Sequence, residues 1–198
     1  HPNNIGDDLD DLIDAVNMPN VYKFLHVPIQ SGSDAVLKHM RRHHTVEEYK
    51  EIVYRFKNEI PGLTLATDII VGYPTETEED FEQTVELVEE VKFNIIHISK
   101  YQHREGAISS SLDDIPFEVM KRRSKRLSDV KFKLLEDENK ILQDSEMNAL
   151  VVEKGPKGGF IAKSDSYIPI IVHDVELGSF IKVHIDETTG TYLIGHEI

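Results

Sequence analysis

The 198-residue sequence contains no cysteine. This absence excludes disulfides, thiolate zinc sites and cysteine nucleophiles within the chain. We expect a cytoplasmic protein, because a chain without disulfides has no requirement for an oxidising compartment.

The sequence also lacks long apolar runs and an excess of positive charge. No run approaches the roughly 18 apolar residues that a membrane helix needs, so we expect a soluble chain with no membrane partner. Lysine and arginine total 22 against 36 aspartates and glutamates, a formal charge of −14. That balance argues against binding nucleic acid through bulk electrostatics, so any such contact must be local. The chain opens at His1 without a signal pattern or a methionine, and we expect that residue 1 is not a natural terminus.

The N-terminal part is organised around the stretch from Leu63 to Val91. A β-branched apolar run containing Asp68 stops at Gly72-Tyr73-Pro74 and passes into an acidic segment with apolar residues at helical spacing. This pattern predicts a buried strand, a tight turn and a helix. In α/β folds the catalytic and ligand-binding residues lie at the carboxyl end of such a strand, which is the position of Asp68 and Gly72.

Helices and strands alternate on both sides of this unit. Helices are predicted over 7–17, 34–40, 46–59, 77–91 and from Pro116 to about Asp144, and further strands over 21–29 and 93–99. Such alternation predicts an α/β fold, a partial (β/α) barrel with parallel strands. Too few strands are present to close a barrel of eight, so an exposed sheet edge would let copies of the chain pair.

The pattern of the sequence changes after residue 143. Five short β-rich runs separated by glycine turns are predicted over 148–153, 159–163, 168–172, 179–186 and 192–195. They predict a small OB-like all-β barrel. We therefore divide the chain into 1–143 and 144–198. The second part holds four lysines against nine acidic residues, which is far from a basic RNA-binding footprint.

Three polar clusters have a structural and a functional interpretation. The hydroxyl-rich turn Gln30–Asp34 either holds a polar ligand or caps the next helix through Ser33, and capping is the commoner role. The adjacent pair His43-His44 lacks the spacing of zinc motifs, so no metal site is predicted there. The basic residues of the last helix form either a solvated face or a phosphate contact: Arg122, Arg123, Lys125 and Arg126.

Motifs in both parts resemble those of a known family. They are His26-Val27-Pro28-Ile29-Gln30-Ser31-Gly32-Ser33-Asp34, Val36-Leu37, Met40-Arg41, Asp68-Ile69-Ile70-Val71-Gly72-Tyr73-Pro74-Thr75-Glu76-Thr77, Glu79-Asp80-Phe81, Gly158-Gly159-Phe160-Ile161 and Ser166-Tyr167-Ile168-Pro169. Their order and spacing resemble the radical S-adenosylmethionine (SAM) methylthiotransferases, which put a methylthio group on tRNA or a ribosomal protein. The tail resembles the TRAM domain of that family. The branch it resembles most is the archaeal and eukaryotic one that acts on threonylcarbamoyl-adenosine beside the anticodon.

The resemblance implies SAM and 4Fe-4S clusters in the full-length protein, and tRNA as partner. The family holds its clusters through cysteines, including Cys-x-x-x-Cys-x-x-Cys, and this chain has none. The chain therefore resembles the C-terminal half of the catalytic barrel plus TRAM. It is expected to be inactive alone, to bind no cofactor alone, and to need the missing N-terminal portion of the same protein as its partner. Thr75 and Ala162-Lys163 depart from the residues of many relatives.

The same resemblance implies two sets of site residues. Cofactor contacts are expected from strand ends: Gln30, Ser31, Ser33, Asp68 and Ser99. RNA contacts are expected from cations and one aromatic ring that stacks on a base: Arg41, Lys154, Lys157, Lys163 and Tyr167.

Two other functions remain open on the sequence. One is a non-catalytic module that binds tRNA or a protein. The other is a TIM-barrel-like hydrolase using Asp68 with His26 or His97, which needs a base and a nucleophile within hydrogen-bond reach.

Overall fold

The fold is described from a computed structural model, which describes residues 2, 5–103, 106, 108–156 and 158–198. Its helices and strands follow the predicted alternation closely. The helices are α1 (Leu9–Asn17), α2 (Asp34–His39), α3 (Val46–Glu59), α4 (Glu78–Val91) and α5 (Phe117–Lys140). The strands are β1 (Phe24–His26), β2 (Thr64–Val71), β3 (Ile95–Lys100), β4 (Glu146–Lys154), β5 (Phe160–Ser164), β6 (Pro169–Val172), β7 (Phe180–Thr188) and β8 (Leu193–Glu197).

The first three strands form a parallel sheet in the order β1-β2-β3. Alternate residues of β2, among them Leu65, Ile69 and Val71, are buried in a core with residues of the helices. The intervening residues Asp68 and Ile70 are only partly buried. Because successive side chains of a strand point to opposite faces, the sheet has one face on the helical core and one face that is left for a site.

Side-chain caps fix where two of the long helices of this core, α3 and α4, begin. Thr45 and Glu48 form a capping box at α3, as the sequence predicts, and Thr77 and Asp80 form another at α4. In each box the hydroxyl accepts from a backbone N–H of the first turn and the carboxylate accepts from the N–H of the threonine. Both caps satisfy donors that the start of a helix otherwise leaves unpaired.

Strand β1 is shorter than the predicted strand over 21–29, and α5 ends at Lys140 instead of near Asp144. Pro28 has no N–H to donate, so the regular ladder stops after His26. Beyond it the Ile29 N–H donates to the Thr67 hydroxyl, and a single bridge from Gln30 to Ile69 resumes the parallel pairing.

The last five strands form a closed barrel in the order β4-β5-β6-β8-β7. Its interior is filled by small and β-branched side chains, including Ala149, Val151, Ala162, Ile170 and Val183. Every strand has two neighbours, and β6 and β8 run parallel while the other pairs are antiparallel. The structure thus confirms the predicted α/β part followed by a small all-β barrel, while the predicted boundary between 143 and 144 stays a prediction.

The barrel contacts the N-terminal sheet directly. The Thr64 hydroxyl donates to the Ser166 carbonyl at 2.5 Å, and the Lys23 N–H donates to the Asp165 carbonyl at 2.8 Å. From α5, the Asn139 amide donates to the Thr189 carbonyl at 2.6 Å. Among the helices of the described residues, none combines the length and the apolar character needed to cross a bilayer.

Candidate functional site

An open cleft of about 940 Å³ lies at the carboxyl ends of the parallel strands. Its lining includes Gln30, Arg41, Asp68, Ser99 and Tyr101. Four of these five were predicted from the sequence, three as cofactor contacts and Arg41 as an RNA contact. In parallel α/β sheets ligands bind outside this edge, so the position and the size of the cleft suit a small-molecule site.

Gln30 enters the cleft through an unusual backbone conformation. Its φ of 82° lies in the left-handed region, which residues other than glycine rarely adopt. Its N–H donates to the Asp68 carbonyl and its own carbonyl accepts from the Ile70 N–H, both at 2.9 Å. Such conformations concentrate at functional sites because surrounding contacts must enforce them. The two backbone bonds to β2 provide that enforcement.

Arg41 reaches the same cleft from the end of α2. Its φ of 56° is again left-handed, and its N–H donates to the Lys38 carbonyl at 3.0 Å, which closes the helix. The neighbouring His39 carbonyl accepts from the Tyr73 hydroxyl at 3.1 Å, and the His39 ring hydrogen-bonds to Thr75 at 2.8 Å. These contacts attach the end of α2 to the turn after β2, so the rim of the cleft is held by two elements.

Tyr101 lies in the cleft wall with its ring edge against Tyr73, at a centroid separation of 5.5 Å. Its hydroxyl is buried and has no hydrogen-bond partner in the part of the chain that the structure describes. Buried hydroxyls are normally paired, so the Tyr101 hydroxyl marks a point in the cleft wall where a further hydrogen bond would be satisfied.

His26, Asp68 and His97 gather on the open face of the sheet beside this cleft. His26 Nε2 donates to Asp68 Oδ1 at 2.8 Å, and the His26 and His97 rings lie 5.6 Å apart. The sequence prediction paired Asp68 with either histidine only in the hydrolase alternative and included no metal site. The sequence offers no local signal for this group, because the three residues meet only through the register of neighbouring strands.

The turn between β2 and α4 is held by a buried ion pair. Glu76 accepts from the Gly72 N–H and from Arg123 of α5, both at 2.8 Å, and burial raises the pKa of the Glu76 carboxyl. Gly72 has a φ of 80°, and a Cβ there would overlap the Met120 side chain. Arg123 is therefore neither on a solvated helix face nor a phosphate contact. Its side chain is buried, at 4% exposed, and it holds the turn that follows β2.

Ser31 and Ser33 lie below the cleft instead of in its lining. Both are buried, and the Ser31 hydroxyl accepts from the Ser33 N–H at 3.2 Å. Ser33 caps α2, as predicted, by accepting from the Val36 N–H, and its hydroxyl donates to Asp80 at 2.5 Å. Both serines thus support the backbone of the turn that carries Gln30, and their contact with a cofactor stays a prediction.

The four predicted RNA-binding residues that the structure describes do not form one patch. Lys154 is exposed at the end of β4 opposite Phe160, whereas Lys163 pairs with Leu150 further along the same ladder. The Lys163 ammonium lies 4.2 Å from the centre of the Tyr167 ring, and burial lowers the pKa of Lys163. Tyr167 also contacts Phe24 of the parallel sheet, with ring centres 5.0 Å apart. Lys157 lies outside the described residues.

Comparisons with known proteins agree with this arrangement. The Radical SAM superfamily profile matches residues 2–88 and the TRAM domain profile matches residues 142–197. The segment that matches the Radical SAM superfamily contains α1 through most of α4 with β1 and β2, and the segment that matches the TRAM domain contains the whole closed barrel.

Curated relatives match nearly the whole chain. It is 53% identical over 194 residues to a protein of Methanothermobacter thermautotrophicus named "Probable threonylcarbamoyladenosine tRNA methylthiotransferase", covering 98% of this chain and 46% of that protein. The human "Threonylcarbamoyladenosine tRNA methylthiotransferase" is 35% identical over 201 residues, covering 100% of this chain and 34% of that protein. The chain therefore spans less than half the length of these relatives.

A solved structure shares the fold. Coproporphyrinogen III oxidase from Escherichia coli, a radical SAM enzyme, aligns with a TM-score of 0.54 at 12% identity, covering 92% of this chain and 47% of that one. At this identity the likeness concerns the fold alone. It supports the α/β fold described above for the parallel sheet and its helices.

The residues present fit one of the two groups that the radical SAM superfamily implies. SAM suits the cleft, where the unpaired Tyr101 hydroxyl, the Gln30 amide and the Asp68 carboxylate offer both donors and acceptors. A 4Fe-4S cluster does not fit, because its iron is held by thiolates and the chain has no cysteine.

Proposed function

We propose that this chain is the C-terminal part of a radical SAM tRNA methylthiotransferase, in which it supplies one wall of the SAM site and the TRAM barrel. The observation that carries the proposal is the cleft at the carboxyl edge of β1–β3, in a chain whose residues 2–88 match the Radical SAM superfamily and whose closed barrel matches the TRAM domain. The names of the relatives from Methanothermobacter thermautotrophicus and from humans support the same reaction, methylthio transfer to tRNA.

Within that enzyme the residues of this chain bind SAM and orient it. SAM supplies the radical and methyl chemistry when it is bound with a reduced cluster. The Asp68 carboxylate accepts hydrogen bonds from ribose hydroxyls or the amino group, and Gln30 and Ser99 offer both a donor and an acceptor. No acid–base step is assigned to them. Without thiolates for a cluster, the chain by itself is inactive.

The proposed substrate is a modified adenosine of tRNA, threonylcarbamoyladenosine in the relatives' names, and its position beside the anticodon is part of the proposal. Lys154, Lys157, Lys163 and Tyr167 of the barrel contact the tRNA, and Arg41 contacts it at the rim of the cleft. Local contacts of this kind suit a chain of net charge −14, which has no general attraction for RNA. A cytoplasmic location and pairing of copies through the open edges of β1 and β3 belong to the same proposal.

A matched pair of aspartate variants tests the SAM site in the full-length protein. Asp68 and Asp186 each hydrogen-bond to a histidine at 2.8 Å, but only Asp68 lines the cleft. Asp68→Asn is expected to weaken SAM binding by about 10- to 100-fold, since a hydrogen bond to a charged group contributes about 1.5–3 kcal/mol. Asp186→Asn should leave both SAM affinity and the methylthiolated nucleoside, measured by mass spectrometry of tRNA digests, unchanged. Equal effects of the two variants would refute the site.

The binding-module alternative is tested by the composition of the full-length gene product. Our proposal expects an upstream Cys-x-x-x-Cys-x-x-Cys and stoichiometric iron and sulfide, because clusters of this kind need thiolate ligands. A product without that motif and without iron, but with salt-dependent affinity for unmodified tRNA, would establish a non-catalytic RNA-binding protein instead.

A further inference from the structure

Three side chains that hold metals in other proteins converge on the open face of the parallel sheet. Asp68 of β2 and His97 of β3 are partners in the ladder, so their side chains leave the same face. His26 of β1 pairs with Ala66, which lies two residues before Asp68 and therefore on the same face. The parallel register alone thus places His26, Asp68 and His97 side by side.

Their ligand atoms are close enough for one ion. One nitrogen of each histidine and one carboxylate oxygen all lie within 4.8 Å of one another, and His26 Nε2 is 2.8 Å from Asp68 Oδ1. A tetrahedral ion with bonds of about 2.1 Å holds its ligand atoms about 3.4 Å apart. The observed separations are near that spacing, and Asp68 and His97 both line the open cleft.

The three side chains are also accessible to solvent, and burial does not explain why they lie together. The side chains of His26 and Asp68 are 39% and 35% exposed, and His97 is exposed as well. A buried histidine–aspartate pair is explained by the need to satisfy a desolvated carboxylate. These three side chains are partly in water, so the fold has no such need for them to meet.

We infer that His26, Asp68 and His97 bind a divalent transition-metal ion of the zinc or iron(II) class. Two imidazoles and one carboxylate are the ligand set that such ions share, whereas magnesium prefers oxygen ligands alone. The ion takes the place of the proton on His26 Nε2, and the neutral ring then carries its single proton on Nδ1. Asp68 and His97 both line the cleft. The coordination positions that the three residues do not fill therefore face the cleft and are open to water or to a donor atom of a bound ligand.

The metal site shares Asp68 with the proposed SAM site, but its test needs neither SAM nor tRNA. The test is a titration of the tag-free 198-residue chain with cobalt(II) alone, followed by the visible absorption of the bound ion. One equivalent should bind, zinc(II) should displace it, and millimolar magnesium should not. Failure to bind SAM in the earlier test would leave this result untouched, and failure to bind cobalt would leave the SAM site untouched.

Single-ligand variants locate the ion. His97→Gln keeps the His26–Asp68 hydrogen bond but removes one ligand, and it should weaken cobalt binding by more than about tenfold, because even indirect partners of metal ligands cost 10- to 100-fold. His196→Gln is the matched control. His196 also holds an aspartate, Asp186, at 2.8 Å, but among the described residues no third ligand lies within the same reach. Equal loss in both variants, or no loss in His97→Gln, overturns the proposal.

A measurement on the wild-type chain tests the site even if the variants fail to fold. The chain has ten histidines, and their ring nitrogens are resolved by long-range ¹H–¹⁵N NMR. With one equivalent of zinc(II), the ring nitrogens of His26 and His97 should shift while those of His184 and His196 stay in place. Shifts confined to His43 and His44, or to the barrel pair, would place the ion elsewhere and refute the site.

Discussion

The parallel sheet and the barrel satisfy their backbone hydrogen bonds in different ways. In the barrel every strand pairs on both sides, so the closed order β4-β5-β6-β8-β7 leaves no open edge. In the sheet, β1 and β3 each pair with β2 alone among the described residues. Unpaired edges invite further strands. The comparison suggests that the barrel is a complete unit, while the sheet is built to continue into a larger barrel.

The two parts also differ in where their polar side chains lie. The sheet carries its polar groups on the open face, where Asp68, His97 and Ser99 stand beside the cleft. In the barrel the interior is apolar, and charged pairs such as Lys182–Glu146 and His196–Asp186 are exposed. An open sheet face can be shared with a ligand, whereas a closed barrel of this size has its interior filled by side chains and offers only its outer surface.

Separating the two parts gives the largest expected effect. The segment 142–198 should fold alone and unfold cooperatively, because its barrel is closed and has its own core. The segment 2–141 should self-associate in a concentration-dependent way, because two sheet edges are open. Circular dichroism and analytical ultracentrifugation measure both. A monomeric, stable 2–141 would show that the sheet is complete as it stands.

Breaking the buried ion pair should destabilise the sheet part strongly. Arg123→Met leaves the Glu76 carboxylate, 4% exposed, without its cation, which costs about 3–5 kcal/mol of the free energy of unfolding. Urea denaturation with hydrogen exchange should place the loss around β2 and α4, with the barrel unchanged.

Two further variants separate this effect from general damage to α5. Arg126→Met removes an exposed pair with Glu82 and should cost less than about 1 kcal/mol. The double variant Glu76→Gln/Arg123→Met should recover part of the loss, because no charge remains buried. A loss in Arg126→Met as large as in Arg123→Met would contradict the role assigned to Arg123.

Asp80 should make the stability of the sheet part depend on pH. Burial opposes ionisation, but hydrogen bonds from Ser33 and Thr77 outweigh it and lower the pKa of Asp80. A pKa that is lower in the folded state stabilises the fold above the ordinary value near 3.9, and the stabilisation disappears as the pH falls through the folded value.

Asp80→Asn should therefore cost about 1 kcal/mol at pH 7, the usual contribution of a helix cap, and less at pH 2. Urea midpoints of the variant and the wild type at the two pH values give the difference. A cost for Asp80→Asn that is the same at both pH values would rule out the carboxylate as the stabilising group.

The smallest expected effect concerns tRNA. Lys154 is exposed on β4, and Lys154→Ala should lower the slope of log K against log salt by about 0.7–0.9, the contribution of one phosphate contact. Lys182→Ala, which removes an exposed barrel lysine paired with Glu146, is the control and should leave the slope unchanged. Filter binding of unmodified tRNA at several salt concentrations measures both slopes. An unchanged slope in Lys154→Ala would remove this residue from the interface.

Local signals in the sequence determined most of the secondary structure. The capping box at Thr45 predicts α3 with the observed bounds, and the five β-rich runs with glycine turns predict the five strands of the barrel. Hydrophobic periodicity and caps depend on neighbouring residues, so they can be read without the fold. The missing cysteines likewise exclude a cluster bound by this chain alone.

Only the tertiary structure decided which polar residues face the cleft. Ser31 and Gln30 are adjacent in sequence, yet Ser31 is buried under α4 and Gln30 lines the cleft, because a left-handed backbone turns the chain between them. Arg123 looked like one of four similar cations and is instead the buried partner of Glu76. The meeting of His26, Asp68 and His97 depends on strand register across 71 residues of sequence, which no local pattern specifies.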